Sequence, residues 1–152
     1  MNIRSTAIML LACTAVVAGC AQRQSQHQYQ RELTIAERRV VRAQRELDGK
    51  DIADAAWFDR QRQIIRSVAD RMDAIEPPRD ARQAHEVYVR GVAGLAQVLA
   101  QLTDCAHEEQ ATAGSGASCR AGLNGAALDR VDNDLDEARA IFANDGYRVQ
   151  AV

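Results

Sequence analysis

The sequence predicts an all-α fold, an antiparallel up-down four-helix bundle, on three observations. Apolar residues recur at spacings of three and four in four separate stretches, which is the period of a helix face. The composition is rich in Ala, Leu, Arg, Asp and Glu, with aromatics only 4% of the chain, and suits helices better than sheets. Gly and Pro are few and clustered, so they mark a small number of connections. Two tight turns and one longer loop between four helices make successive helices antiparallel neighbours. Extended helical hairpins, or a dimer of hairpins, are the alternative, because three-four spacing is also coiled-coil spacing.

Each predicted helix has its own start, stop and apolar stripe. The first runs from about Gln28 to Leu47, with Tyr29, Leu33, Ala36, Val40, Ala43 and Leu47 on one face. Glu32, Glu37, Arg38, Arg42 and Arg45 occupy the other face, and Gly49 supplies a helix stop. The second runs from about Ile52 to Ile75 behind a capping Asp51. Its stripe is Trp57, Ile64, Val68, Met72 and Ile75, flanked by Phe58 and Ile65, and Pro77-Pro78 stops it.

The third helix runs from about Pro78, favoured in a first turn, to Glu108. Its seam is Tyr88, Val92, Leu95, Leu99, Leu102 and Ala106, and extra apolar positions make it the most buried helix. Gly91 and Gly94 each lower helix stability by roughly 1 kcal/mol against Ala, so they imply close approach of a neighbour. Residues 109–120 form a loop centred on Gly114-Ser115-Gly116. The fourth helix runs from about Asn124 to Ala143 with Leu128, Val131, Leu135, Ala138 and Phe142 inward; Gly146 ends it. The tail, 147–152, is expected to fray.

The amino-terminal segment is of another kind. Arg4 is its only charge, residues 7–16 are an apolar run, and small residues follow up to Cys20. This is the layout of a secretory signal, and ten residues at about 1.5 Å each cannot span a bilayer core of roughly 30 Å. Val17-Ala18-Gly19-Cys20 resembles the lipobox of bacterial lipoproteins, a resemblance that covers the first twenty-two residues only. It implies cleavage before Cys20, acylation of Cys20 and a lipid anchor in the cell envelope. Each buried methylene contributes about 0.8 kcal/mol, so several acyl chains hold firmly. Ala21, where inner-membrane lipoproteins of the enteric type carry Asp, favours the periplasmic side of the outer membrane over the inner membrane. The resulting organisation is a signal peptide over 1–19, lipidated Cys20 with a Gln-rich tether over 20–27, a helical domain over 28–146 and a short tail over 147–152.

Charge and cysteines narrow the function. The chain has 19 Lys and Arg against 21 Asp and Glu, a formal net charge of −2, and Arg4 leaves with the signal. So mild a balance points to no nucleic-acid partner. Cys13 also leaves with the signal, and Cys105 and Cys119 remain as an even pair destined for an oxidising compartment, where a disulfide is the natural reading. Closing a loop of about 15 residues would stabilise by roughly 3 kcal/mol in the chain-entropy model.

No residue set reads as catalytic. His85 could pair with Met72 as haem ligands across the Pro77-Pro78 turn, but no haem-attachment motif of the C-x-x-C-H kind is present. Asp104 and His107 share a helix face only once, where di-iron bundles need such a motif twice. Asp132 to Asp136 opens like an EF-hand loop, but Glu137 stands where Gly is needed and Ala143 where Glu is needed. Asp129, Asp132 and Asp136 read instead as a solvated acidic face able to meet an Arg-rich partner. Ser115 and Ser118 lack a neighbouring base and a nucleophile elbow. The expectation is therefore a non-enzymatic protein-binding or adaptor lipoprotein of the envelope, without cofactor or metal. It meets the bilayer through acylated Cys20 and a periplasmic protein through its helical body. A self-associating or peptidoglycan-contacting structural component is the alternative, and a haem or metal bundle ranks behind both.

Overall fold

A computed structural model describes residues 25–48, 54–112 and 125–149 of the chain. Among the described residues there are four helices and no strand: α1 Gln26–Asp48, α2 Ala55–Asp73, α3 Arg82–Ala111 and α4 Gly125–Asn144. They pack as an all-α four-helix bundle. Glu32 of α1 meets Arg71 late in α2, while Glu46 meets Gln61 early in α2, so these two helices are antiparallel. Gly91 and Gly94 of α3 face Leu135 and Val131 of α4, and Glu37 and Gln44 of α1 meet Arg139 and Asp132 of α4, in the same antiparallel sense. α3 packs closely against both α2 and α4, and α1 rests more lightly on α2. The bundle is thus a ring in chain order, closed by side chains that reach between α1 and α4.

The predicted stripes form one core. Leu33, Val40, Met72, Leu95, Leu99, Leu135 and Phe142 are fully or almost fully buried within it. The stripe of α2 needs a correction: Ile65 is completely buried whereas Ile64 is 41% exposed. Trp57, Val68, Met72 and Ile75 of the expected stripe are buried, together with Phe58, Ile65 and Ala69, so the correction falls on Ile64 alone.

The helix ends also differ from expectation. Asp54 is the N-cap of α2, its Oδ1 accepting from the Trp57 amide at 3.0 Å. Asp51 and Gly49 lie outside the described residues. Helix α3 starts at Arg82 rather than at Pro78, because residues 79–81 first make a turn in which the Ala81 amide donates to the Pro78 carbonyl. Gly91 and Gly94 do mark close approach. A Cβ on Gly91 would come within 2.9 Å of Leu135 Cδ2, and one on Gly94 within 2.9 Å of Val131 Cγ2.

Helix α4 ends on Gly146 at φ 83°. The Gly146 amide bonds to Ala143 and the Tyr147 amide to Phe142, the two bonds of a Schellman ending. That ending turns the chain back, so Tyr147 is buried instead of frayed, with its ring 5.6 Å from Tyr29 and 5.8 Å from Phe142.

Candidate functional site

Charge is nearly balanced over the whole chain, but arginines gather along one helix. Helix α1 carries Arg31, Arg38, Arg42 and Arg45 at spacings of seven, four and three, which sets them along one side of the helix. All four are exposed, and none has an ion pair or hydrogen bond to a described side chain. Arg39 and Arg42 line a groove between α1 and α2 of about 620 Å³, facing Arg60 and Ile64 of α2. Ile35, 44% exposed, and Ile64 are the large aliphatic side chains left open among the described residues. The acidic groups nearby are engaged: Glu46 accepts from Gln61, and Glu32 holds Arg71 in a two-bonded pair at 2.8 and 3.0 Å. That pairing raises the Arg71 pKa, first through the hydrogen bonds and then through the Glu32 charge.

The seam between α3 and α4 lies across the ring from the α1–α2 seam. It holds a second groove, of about 610 Å³, floored by Gly94, Val98 and Val131 and edged by Gln97, Gln101 and Arg130. Arg90 and Asp134 bridge it at 2.9 Å, and the hydrogen bond from Arg90 lowers the Asp134 pKa. Beside it, the outward side of α4 presents Asp129, Asp136 and Glu137, all exposed.

Between these surfaces, the α1–α4 seam is polar. Glu37, expected on the solvated face of α1, is only 2% exposed and accepts from Arg139 Nε at 2.6 Å. Arg139 also bonds to Asp136 and Gln44. Burial opposes the Arg139 charge, but Glu37 and Asp136 outweigh it and raise its pKa. The Tyr88 phenol is buried here as well, and burial followed by the Glu37 charge holds its pKa well above the ordinary value. This clamp was missed in the sequence because its halves lie 102 positions apart.

The remaining sequence candidates are dispersed. Cys20, Cys119, Ser115 and Ser118 lie outside the described residues. Cys105 is buried near the end of α3 and is disulfide-bonded. His85 Nδ1 pairs with the Tyr29 hydroxyl at 3.0 Å, and burial lowers the His85 pKa. Asp132, Asp134 and Asp136 sit on a continuous helix and turn to three different partners, Gln44, Arg90 and Arg139. Among the described residues no three His, Cys, Asp or Glu side chains gather as a metal site. None of the described helices is long and apolar enough to cross a membrane. Comparison with protein-family models, with curated proteins and with solved structures gave no match.

Proposed function

We propose that the protein is a lipid-anchored, non-enzymatic adaptor of the cell envelope, held through Cys20 on the periplasmic side of the outer membrane. Its helical body presents the acidic outward face of α4, next to the α3–α4 groove, to a basic segment of a periplasmic protein. The carrying observation is the α3–α4 groove, whose apolar floor at Gly94, Val98 and Val131 is rimmed by amides and charges. Protein interfaces share that anatomy, an apolar centre within a polar rim. Exposed Asp129 and Glu137 on α4 set the sign of the partner's charge. In the same reading Cys105 and Cys119 form the bridge that ties residues 113–124 to the body.

The test uses the full chain in its own membranes. Cross-linking followed by affinity capture should recover one reproducible protein with wild-type chain. Asp129→Lys with Glu137→Lys should reduce that capture at least tenfold, as reversed charge repels a basic segment. Capture of nothing reproducible, or capture indifferent to the reversal, defeats the reading. Separately, Cys20→Ser should move the chain out of the acylated membrane fraction.

A further inference from the structure

We propose that the outer face of the α1–α2 hairpin is a seat for an anionic lipid bilayer, with guanidinium groups on headgroup phosphates and Ile35 and Ile64 at the apolar boundary. Three observations meet on this face. Arg31, Arg38, Arg42 and Arg45 form a single line along α1 from residue 31 to residue 45, which is about 21 Å at 1.5 Å rise per residue. Among the described residues none of the four has an ion pair; Glu46 is the one carboxylate lining the groove, where it accepts from Gln61, and Arg60 extends the positive charge onto α2. A guanidinium presents its donors in a fork that matches phosphate oxygens, and it is less strongly hydrated than an ammonium.

The apolar pattern fits a lipid surface better than an acidic protein. Ile35 and Ile64 are large aliphatic side chains standing open among charges, with 44% and 41% exposure. A protein-binding centre of this charge would be expected to carry aromatic anchors in a desolvated pocket. A sparse row of aliphatics beneath a line of arginines is instead the layout of a helix lying at a bilayer interface.

Chain position supplies the third argument, and this step rests on the Cys20 anchor proposed above. Gln26, the first residue of α1, follows Cys20 by six positions. At about 3.3 to 3.6 Å per residue, that keeps the start of α1 within roughly 20 Å of an acylated Cys20. Of the four helices, α1 is therefore delivered first to the headgroups. The acidic outward side of α4 is repelled by the same surface, so the bundle takes one orientation: arginines down, α3–α4 groove toward the periplasm.

The test separates this seat from the anchor. Residues 20–152 without lipid keep every hydrogen bond and packing contact described for the bundle, and circular dichroism reports their helicity. This chain is sedimented with phosphatidylcholine vesicles and with vesicles that also contain phosphatidylglycerol. Binding should require phosphatidylglycerol and fade with added salt. The triple variant Arg38→Gln, Arg42→Gln, Arg45→Gln should bind on the order of a hundredfold more weakly, since each basic side chain near an anionic surface contributes about a factor of five. The three residues are exposed, so helicity should not change. Binding that ignores phosphatidylglycerol, or survives the triple substitution, overturns the seat. Vesicle indifference combined with arginine-dependent capture of an acidic protein overturns it too. Failure of Cys20→Ser to delocalise the full chain would strike the anchor alone, because no lipid is attached in the vesicle experiment.

Discussion

Two buried polar contacts test the fold at the level of single residues. Glu37 is almost wholly enclosed, and Arg139 is the cation that answers it. Removing one member of a buried pair leaves the other charged and desolvated, which costs about 3 to 5 kcal/mol. Arg139→Ala should therefore lower unfolding free energy by about that amount in urea denaturation, and adding Glu37→Leu should recover part of it. A cost below about 1 kcal/mol would mean that water reaches Glu37. His85 makes the second contact. Burial lowers its pKa, while Asp73 and Glu86 pull in the opposite direction and lose. Its Nδ1 shares a hydrogen bond with the Tyr29 hydroxyl, with the donor set by the imidazole tautomer, and a protonated ring would have to be charged inside the core. A base with a depressed folded pKa favours folding above its unfolded value of about 6.5, and this contribution is lost as pH falls through the folded value. Stability should thus decline from pH 7.5 toward pH 5, and His85→Gln should flatten that slope. A wild-type slope unchanged by the substitution would show that His85 does not control it.

At the level of helices, the test falls on the α3–α4 contact. An added methyl at Gly91 meets three atoms, Leu135 Cδ2, Leu135 Cγ and Asp134 Cβ. At Gly94 it meets one methyl of Val131. Alanine would gain about 1 kcal/mol of helix propensity at either site, against an overpacking cost of typically 1 to 3 kcal/mol. Gly91→Ala should be the more destabilising of the two, by about 1 kcal/mol in thermal or urea unfolding. Equal effects would show that α4 shifts as a body. These glycines announced their role in the sequence, since two helix-weakening residues one turn apart suggest a close neighbour. The four helices were legible for a related reason: a three-four apolar rhythm is local, and needs no knowledge of partners. What depends on partners was not legible. Ile64 and Ile65 are adjacent and chemically identical, and only the approach of neighbouring helices decides which is buried. Glu37 resembles every other acid on its helix until Arg139 is folded against it. Arg38, Arg42 and Arg45 were legible as one face of α1, but the engagement of Glu32 by Arg71 and of Glu46 by Gln61 appeared only with the fold.

Taken whole, the described bundle is closed at one end by aromatic rings, and a residue from beyond the last helix helps to close it. Tyr29 of α1, His85 and Tyr88 of α3 and Phe142 of α4 meet at the end from which α1 departs toward Cys20. Tyr147 completes the group, edge-on to Tyr29 at 88°, with its hydroxyl donating to Asp80 Oδ1 in the α2–α3 connection. Its phenol is pushed up to about 12, by burial first and then by the hydrogen bond to Asp80. One side chain therefore ties α1, α4 and the α2–α3 connection together at the end closest to the proposed anchor. Tyr147→Ala should destabilise the whole bundle by about 3 to 5 kcal/mol, the range for deleting a large buried aromatic side chain. Tyr147→Phe should lose only the hydrogen bond, about 1 kcal/mol. Urea unfolding followed by helicity and by tyrosine fluorescence should show one coincident transition, shifted in each variant by its own amount. If Tyr147→Ala unfolded at the wild-type midpoint, the tail would be an ornament on a bundle sealed without it. If the fluorescence change alone moved to lower urea, the aromatic end would open before the helices separate. The second pattern would make this end, rather than the grooves, the first part of the body to yield near the membrane.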